Sequence, residues 1–144
     1  MTEVTRHASC VAIHGAGVMI SGPSGSGKSD LALRLIDRGA ALISDDYVEF
    51  HNDDSQILLN APGNIAGKIE VRSLGIFNCD HVSNIPLKLQ VRLQPKTERF
   101  PLDSQTETIM TIAIPTIILN PAEVSAPIKV EMALSRLLQG PGSA

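Results

Sequence analysis

The sequence has no tryptophan, one tyrosine and three phenylalanines, so aromatic residues fill only 3% of its 144 positions. Its core must therefore be aliphatic, built from Ile, Leu, Val and Ala. Cysteine is almost as scarce. Cys10 and Cys79 stand far apart with no second pair, which excludes a disulfide framework or a cysteine-rich metal site and fits two buried thiols in a reducing compartment. Basic charge is in short supply too: 12 Lys and Arg against 15 Asp and Glu give a net charge of -3. Nucleic acid and anionic membrane surfaces, which reward clustered cations, are not expected partners. Long apolar runs are missing as well. The stretch 11–20 has the length of a signal-peptide core, but His14 and two glycines interrupt it, and no run of about 20 apolar residues follows to span a bilayer. No internal repeat or low-complexity segment occurs.

What is present is an ordinary globular composition, 43% hydrophobic and 19% charged, in a chain long enough to enclose one core without staples. A single domain is expected over residues 1–139, with a flexible tail at 140–144. Two apolar runs within residues 8–21 flank Gly15-Ala16-Gly17 and predict a β-hairpin. From Lys28 to Arg38, Leu31, Ala32, Leu35 and Ile36 recur at helical spacing, and Gly39 follows as the stop. Residues 40–44 then read as a covered strand ending at Asp45-Asp46. Two further strands, 47–50 and 56–59, flank a charged turn His51-Asn52-Asp53-Asp54, and residues 60–68 read as an irregular loop. Strict alternation over 87–93 predicts a strand with one wet face; 109–114 and 116–119 are further strands. Pro127 opens a terminal helix whose apolar face holds Val130, Ala133, Leu134, Leu137 and Leu138.

The chemistry is concentrated in Gly22-Pro23-Ser24-Gly25-Ser26-Gly27-Lys28-Ser29, a full G-x-x-x-x-G-K-[ST] match set between a predicted strand and a predicted helix. Glycines there let backbone N–H groups turn inward around phosphate oxygens, and the helix N-terminus adds its dipole. Lys28 can reach the β/γ-phosphates and Ser29 can ligate magnesium, so ATP and Mg2+ are the expected ligands. Asp45-Asp46 ends the next strand, where α/β folds form their ligand crevice. One carboxylate could hold magnesium while the other accepts a proton from an attacking hydroxyl; the plain alternative is a helix cap or a solvated turn.

Taken together, His7, residues 22–29, Arg38-Gly39, Asp45-Asp46 and Ile69-Glu70-Val71-Arg72-Ser73-Leu74-Gly75-Ile76 resemble the catalytic domain of HPr kinase/phosphorylase, over roughly residues 5–138. The match is to the short proteobacterial form, which lacks a separate N-terminal domain. The resemblance implies an α/β, P-loop-containing domain of the HPr kinase type, with a mixed β-sheet and flanking helices. It also implies a cytoplasmic protein-serine kinase of the phosphotransferase system, acting on HPr or an HPr-like paralogue and assembled as a homo-oligomer, in the family a hexamer. Carried over by motif, Asp45 is the base toward the HPr serine, and Asp46 supports the metal beside Ser29. Glu70 of the E-x-R signature is a second magnesium ligand, with Arg72 steadying phosphate or partner. His7 lies near the active site, although by itself it reads as a surface residue at a loose terminus. Arg99 faces the reacting phosphate, as suits a planar guanidinium. Residues 105–120 correspond to a region that contacts HPr or a neighbouring subunit. The pattern departs from the family at Ala8 and Ser73, each replacing a glycine, and residues 120–127 lack a P-G-R-N stretch. These departures bear on phosphate-dependent dephosphorylation and on metabolite control.

The implied reaction is in-line transfer of the γ-phosphoryl group of ATP to a serine, with charge neutralised by Lys28, magnesium and Arg99. A small-molecule kinase is the first rival, but it needs an arginine-bearing lid helix, and the chain after Asp46 reads mainly as strands. A non-catalytic ATP sensor is the second; it would bind nucleotide without a phosphoryl acceptor. A GTPase switch lacks its Asn-Lys-x-Asp signature here.

Overall fold

In a computed structural model of the chain, residues 3–95 and 105–139 are described. The expected tail at 140–144 lies outside them. Strands β2 (Ser9–Ile13) and β3 (Ala16–Ser21) form the predicted hairpin, turning at His14-Gly15 with both residues at positive φ. Helix α1 (Lys28–Asp37) follows, then β4 (Ala41–Ser44), which pairs antiparallel with β2. Strands β5 (Tyr47–Asp53) and β6 (Gln56–Asn60) are the next hairpin. Its turn falls at Asp54-Ser55, because His51 to Asp53 stay paired in β5 rather than joining the expected charged turn.

The organising strand is β9 (Ile85–Leu93). It pairs parallel with β3 through residues 87–92, antiparallel with β6 through Ile85 and Pro86, and parallel with β11 (Ile112–Leu119) through residues 90–93. Strand β10 (Thr106–Ile109) folds back on β11, and β1 (Glu3–His7) closes the far edge against β5. The sheet therefore runs β1-β5-β6-β9-β3-β2-β4, with β11 and β10 branching beside β9. Gly17 lies where a side chain is intolerable, since a Cβ there would come within 2.7 Å of the Pro86 carbonyl oxygen. A separate two-stranded unit holds β7 (Lys68–Val71) and β8 (Gly75–Asn78).

Each sheet face is covered. On one, Leu31 and Leu35 of α1 and Val130 and Leu134 of α2 (Ala126–Gln139) pack on Val18, Ile20, Leu89 and Val91. Arg38 joins the helices by a forked bond to Glu131 at 2.8–3.0 Å. On the other face, Phe50, Ile57 and Leu59 from the curled end of the sheet meet Met19, Ile43 and Ile114. Burying each such side chain contributes about 1.5–3 kcal/mol.

Four expectations change. The alternation in β9 does not mark a wet face: Gln90 is buried, and Lys88 and Arg92 are half-buried, with Glu107 of β10 bonded to both Gln90 and Arg92. The run 109–114 is broken by a turn at Met110-Thr111, where both residues have positive φ, so it contributes to two strands. Leu138 leaves the apolar face of α2 and is exposed. The N-terminal residues are not loose, for β1 pairs in register with β5 through His7 and Tyr47.

Candidate functional site

Strands β3, β9 and β11 run parallel, and β4 shares their direction because both β3 and β4 are antiparallel to β2. Their carboxyl ends therefore open on one edge, where α/β sheets gather ligands. The loop 22–27 leaves β3 at this edge and enters α1. Gly22, Gly25 and Gly27 all have positive φ, and Gly27 is the N-cap residue in the left-handed region with no side-chain cap. The first amides of α1 are thus not taken up by a capping side chain.

Lys28 is buried and folds back over the loop, donating to the carbonyl oxygens of Gly22 at 2.9 Å and Pro23 at 3.0 Å. Burial lowers its pKa, against the opposing charges of Asp46 and Asp45. An anion in the loop would relieve that desolvation. A second sign of fit is Ser26 Oγ, buried with no hydrogen-bond partner among the described residues.

The adjacent aspartates have opposite surroundings. Asp45 is buried and accepts three hydrogen bonds: Ser9 Oγ and Ser29 Oγ each donate to Oδ1 at 2.7 Å, and the Glu70 N–H donates to Oδ2 at 3.0 Å. Asp46 projects outward, with its side chain 62% exposed and its φ at 75°. The Asp45 carbonyl accepts the Tyr47 N–H, and the Asp46 carbonyl accepts the Ala8 N–H, so this tight turn is fixed from both sides. Ser44 Oγ donates to the Tyr47 carbonyl and braces it further. Asp46 Oδ1 lies 2.9 Å from His7 Nε2, and the His7 ring rests against Tyr47. Placing His7 beside Asp46 is the work of the β1–β5 register, which the sequence pattern did not announce.

The structure thus brings Lys28, Ser29, Asp45, Asp46, His7 and the Glu70 backbone together. The Glu70 side chain and Arg72 are exposed on β7 and the turn after it. Arg99 lies outside the described residues. Among those described, no three His, Cys, Asp or Glu side chains form a ready metal cage. Magnesium does not need one: it usually takes one or two carboxylates together with water and substrate phosphates, and the Ser29 hydroxyl and Asp45 carboxylate are hard oxygen donors of that kind.

Sequence reasoning missed Ser9, whose hydroxyl fixes Asp45, and a polar cluster beside the loop. There Glu107 accepts from Arg6 at 2.9 Å, Gln90 at 2.8 Å and Arg92 at 2.9 Å, and Gln90 accepts from Ser21. Burial would raise the Glu107 pKa, but the hydrogen bonds and the two guanidinium charges outweigh it and hold the carboxyl below its ordinary value. The alternating polar residues of β9 were the available signal for this cluster.

A glycine-rich loop of this sequence, set between a strand and a helix at the carboxyl ends of the parallel strands β3, β9 and β11 in a mixed sheet, is the arrangement of a P-loop type of α/β domain. Within that class, the family model for the HPr serine kinase C-terminal domain matches residues 1–137, and the chain belongs to this family. It is 36% identical over 131 residues to the HPr kinase/phosphorylase of Nitrosomonas europaea, covering 81% of this chain and 41% of that protein. It is 32% identical over 146 residues to the Levilactobacillus brevis enzyme of the same name, covering 92% and 45%. The chain therefore spans less than half the length of these relatives. The solved Hpr(Ser) kinase/phosphatase from Coxiella burnetii superposes with a TM-score of 0.80 at 29% identity, covering 94% of this chain and 96% of that one. The expected mixed α/β fold of HPr kinase type is borne out. No helix among the described residues is long and apolar enough to cross a membrane.

Proposed function

We propose that this domain transfers the γ-phosphoryl group of ATP to a serine of HPr or an HPr-like protein, as the names of its relatives suggest, and so regulates phosphotransferase-system metabolism. The observation that carries the reading is the convergence, at one strand edge, of the Lys28-Ser29 loop with a buried and an exposed aspartate. Loop amides and Lys28 would bind the phosphate chain and neutralise charge as it develops. Ser29 and Asp45 would hold magnesium, which would supply charge neutralisation at the phosphates.

The roles within the acidic pair are best exchanged relative to the resemblance. Asp45 is held by three donors and contacts Ser29, which suits the metal side. Asp46 is open to a docking partner and steadied by His7, which suits the base that takes the serine proton. In the reverse direction, inorganic phosphate attacks phosphoserine and releases pyrophosphate while Asp46 returns the proton to serine. Two unpaired cysteines support a cytoplasmic setting, and exposed Leu74, Ile76 and Phe77 on the β7–β8 unit support a homo-oligomer such as a hexamer.

The test is incubation with γ-labelled ATP, magnesium and HPr carrying either its acceptor serine or alanine. Serine-dependent labelling, lost with Lys28→Met and with Asp46→Asn, is expected. Nucleotide binding without any labelling would sink the kinase reading in favour of a sensor.

A further inference from the structure

Tyr47 is the only tyrosine of the chain, and no step of the transfer proposed above uses it. It opens β5 directly after the acidic pair, and the register of that strand sets it opposite His7, the last residue of β1. Residues opposite each other in an antiparallel pair put their side chains on the same face. The two rings accordingly meet, with centroids 5.1 Å apart and planes tilted by 35°. Tyr47 nevertheless stays 45% exposed, so burial alone does not account for an aromatic ring at this position.

What the ring acts on is His7. The imidazole meets Asp46 Oδ1 through Nε2 at 2.9 Å, but the His7 side chain is 37% exposed and that of Asp46 62%. A contact this open gains little by itself and leaves both side chains free to turn into other staggered rotamers. The backbone of Tyr47, by contrast, is fixed. Its N–H donates to the Asp45 carbonyl at 2.9 Å, and its carbonyl accepts from Ser44 Oγ. The Asp46 carbonyl accepts the N–H of Ala8, the residue after His7, at 3.1 Å. One turn thus carries the carboxylate and the ring together, and the imidazole touches both. A ring pair at this separation favours the stacked arrangement by a factor of about 2–10.

We propose that Tyr47 is a positioning residue: its ring holds the His7 imidazole against Asp46 and so keeps the Asp46 carboxylate aimed at the hydroxyl of the acceptor serine. The role rests on the reading of Asp46 as the base, and the experiment separates the two. Labelled phosphoryl transfer to HPr is followed for the full chain as wild type, Asp46→Asn, His7→Ala, Tyr47→Phe, and the ringless strand formers Tyr47→Val and Tyr47→Thr, each of the last two also combined with His7→Ala. Thermal melts and calorimetric titration with magnesium-loaded ATP check folding and nucleotide binding. The ringless variants should lower kcat by about 2–10-fold with ATP affinity and the KM for HPr unchanged. Tyr47→Phe should transfer as wild type does, and loss of the ring should cost nothing further in the His7→Ala background. A loss that multiplies with that of His7→Ala, or a raised KM for HPr at unchanged kcat, would overturn the positioning role alone, the latter by making the ring a docking contact. Wild-type rates in the ringless variants, with transfer lost in Asp46→Asn, would do the same. Full transfer by Asp46→Asn, or none by wild type, would overturn the base reading and the positioning role with it.

Discussion

Replacing the two aspartates should separate a structural carboxylate from a working one. In Asp45→Ala, the Ser9 hydroxyl, fully buried, loses its acceptor and keeps its desolvation penalty, about 1–3 kcal/mol. Ser29 Oγ and the Glu70 N–H lose charge-assisted bonds but lie nearer solvent and can rehydrate, adding about 0.5–1.5 kcal/mol each. Against these stands the relief of a buried charge, so a net loss of about 2–5 kcal/mol is expected. At roughly 3 °C per kcal/mol for a domain of this size, the melting temperature should fall by about 6–15 °C. Asp46→Gly gives up only an exposed contact with His7, about 0–1 kcal/mol, and relieves a non-glycine residue held at φ 75°. Its stability should stay within about 1 kcal/mol of wild type, while phosphoryl transfer falls by about 10²–10⁴-fold if it is the base. Urea unfolding followed by circular dichroism measures the first quantity and labelled-ATP turnover the second. Equal destabilisation by the two substitutions would refute the division of labour drawn from their surroundings.

Glu107 offers a pH test. Its carboxyl is depressed in the folded state, so its contribution to stability is complete above the ordinary value of 4.5 and is lost as pH falls through the folded value. Glu107→Gln should cost about 1–3 kcal/mol at pH 7, and the gap to wild type should narrow as pH falls below the ordinary value of 4.5 and through the lower folded one; urea midpoints with a pH-independent gap would contradict this. The cysteines test burial. Cys10 is fully buried, and burial pushes its thiol far up, while Cys79 is partly exposed and raised first by burial and then by Asp80 and Asp45. Iodoacetamide followed by mass spectrometry should label Cys79 slowly in the native protein and Cys10 only after unfolding; native labelling of Cys10 would show that the β2 face opens.

The features read most directly from the sequence are those whose cause is local. The loop needs glycine at fixed spacing, α1 needs apolar residues every three or four positions, and β2–β3 needs a turn between apolar runs. The remainder depends on partners distant in the chain. Alternation in β9 marks Lys88, Gln90 and Arg92 as sharing one face, but the surroundings of Gln90 and Arg92 are decided by β10, whose Glu107 arrives to neutralise Arg92 and engage Gln90. Strand β1 is short and polar, and only its register against β5 turns a loose-looking histidine into a partner of Asp46.

The acidic pair shows why motif and mechanism need separate arguments. Successive residues at a strand end point to opposite sides, so two adjacent carboxylates can share one environment only if the backbone bends. Here it bends the other way: β4 sits against β2 with Cys10 opposite Ser44, which carries Asp45 into the interior beside Ser9 and Ser29. The next residue enters the left-handed region and is thrown outward. A spacing rule identifies the pair and cannot rank its members. The ranking comes from counting donors: a carboxylate with three hydrogen bonds is fixed in place, whereas one with a single imidazole partner and an open side is free to meet a hydroxyl brought by another protein. The left-handed turn at Asp46, held by the Ala8 and Tyr47 amides, is the backbone feature that sets its exposed carboxylate apart from the buried one of Asp45.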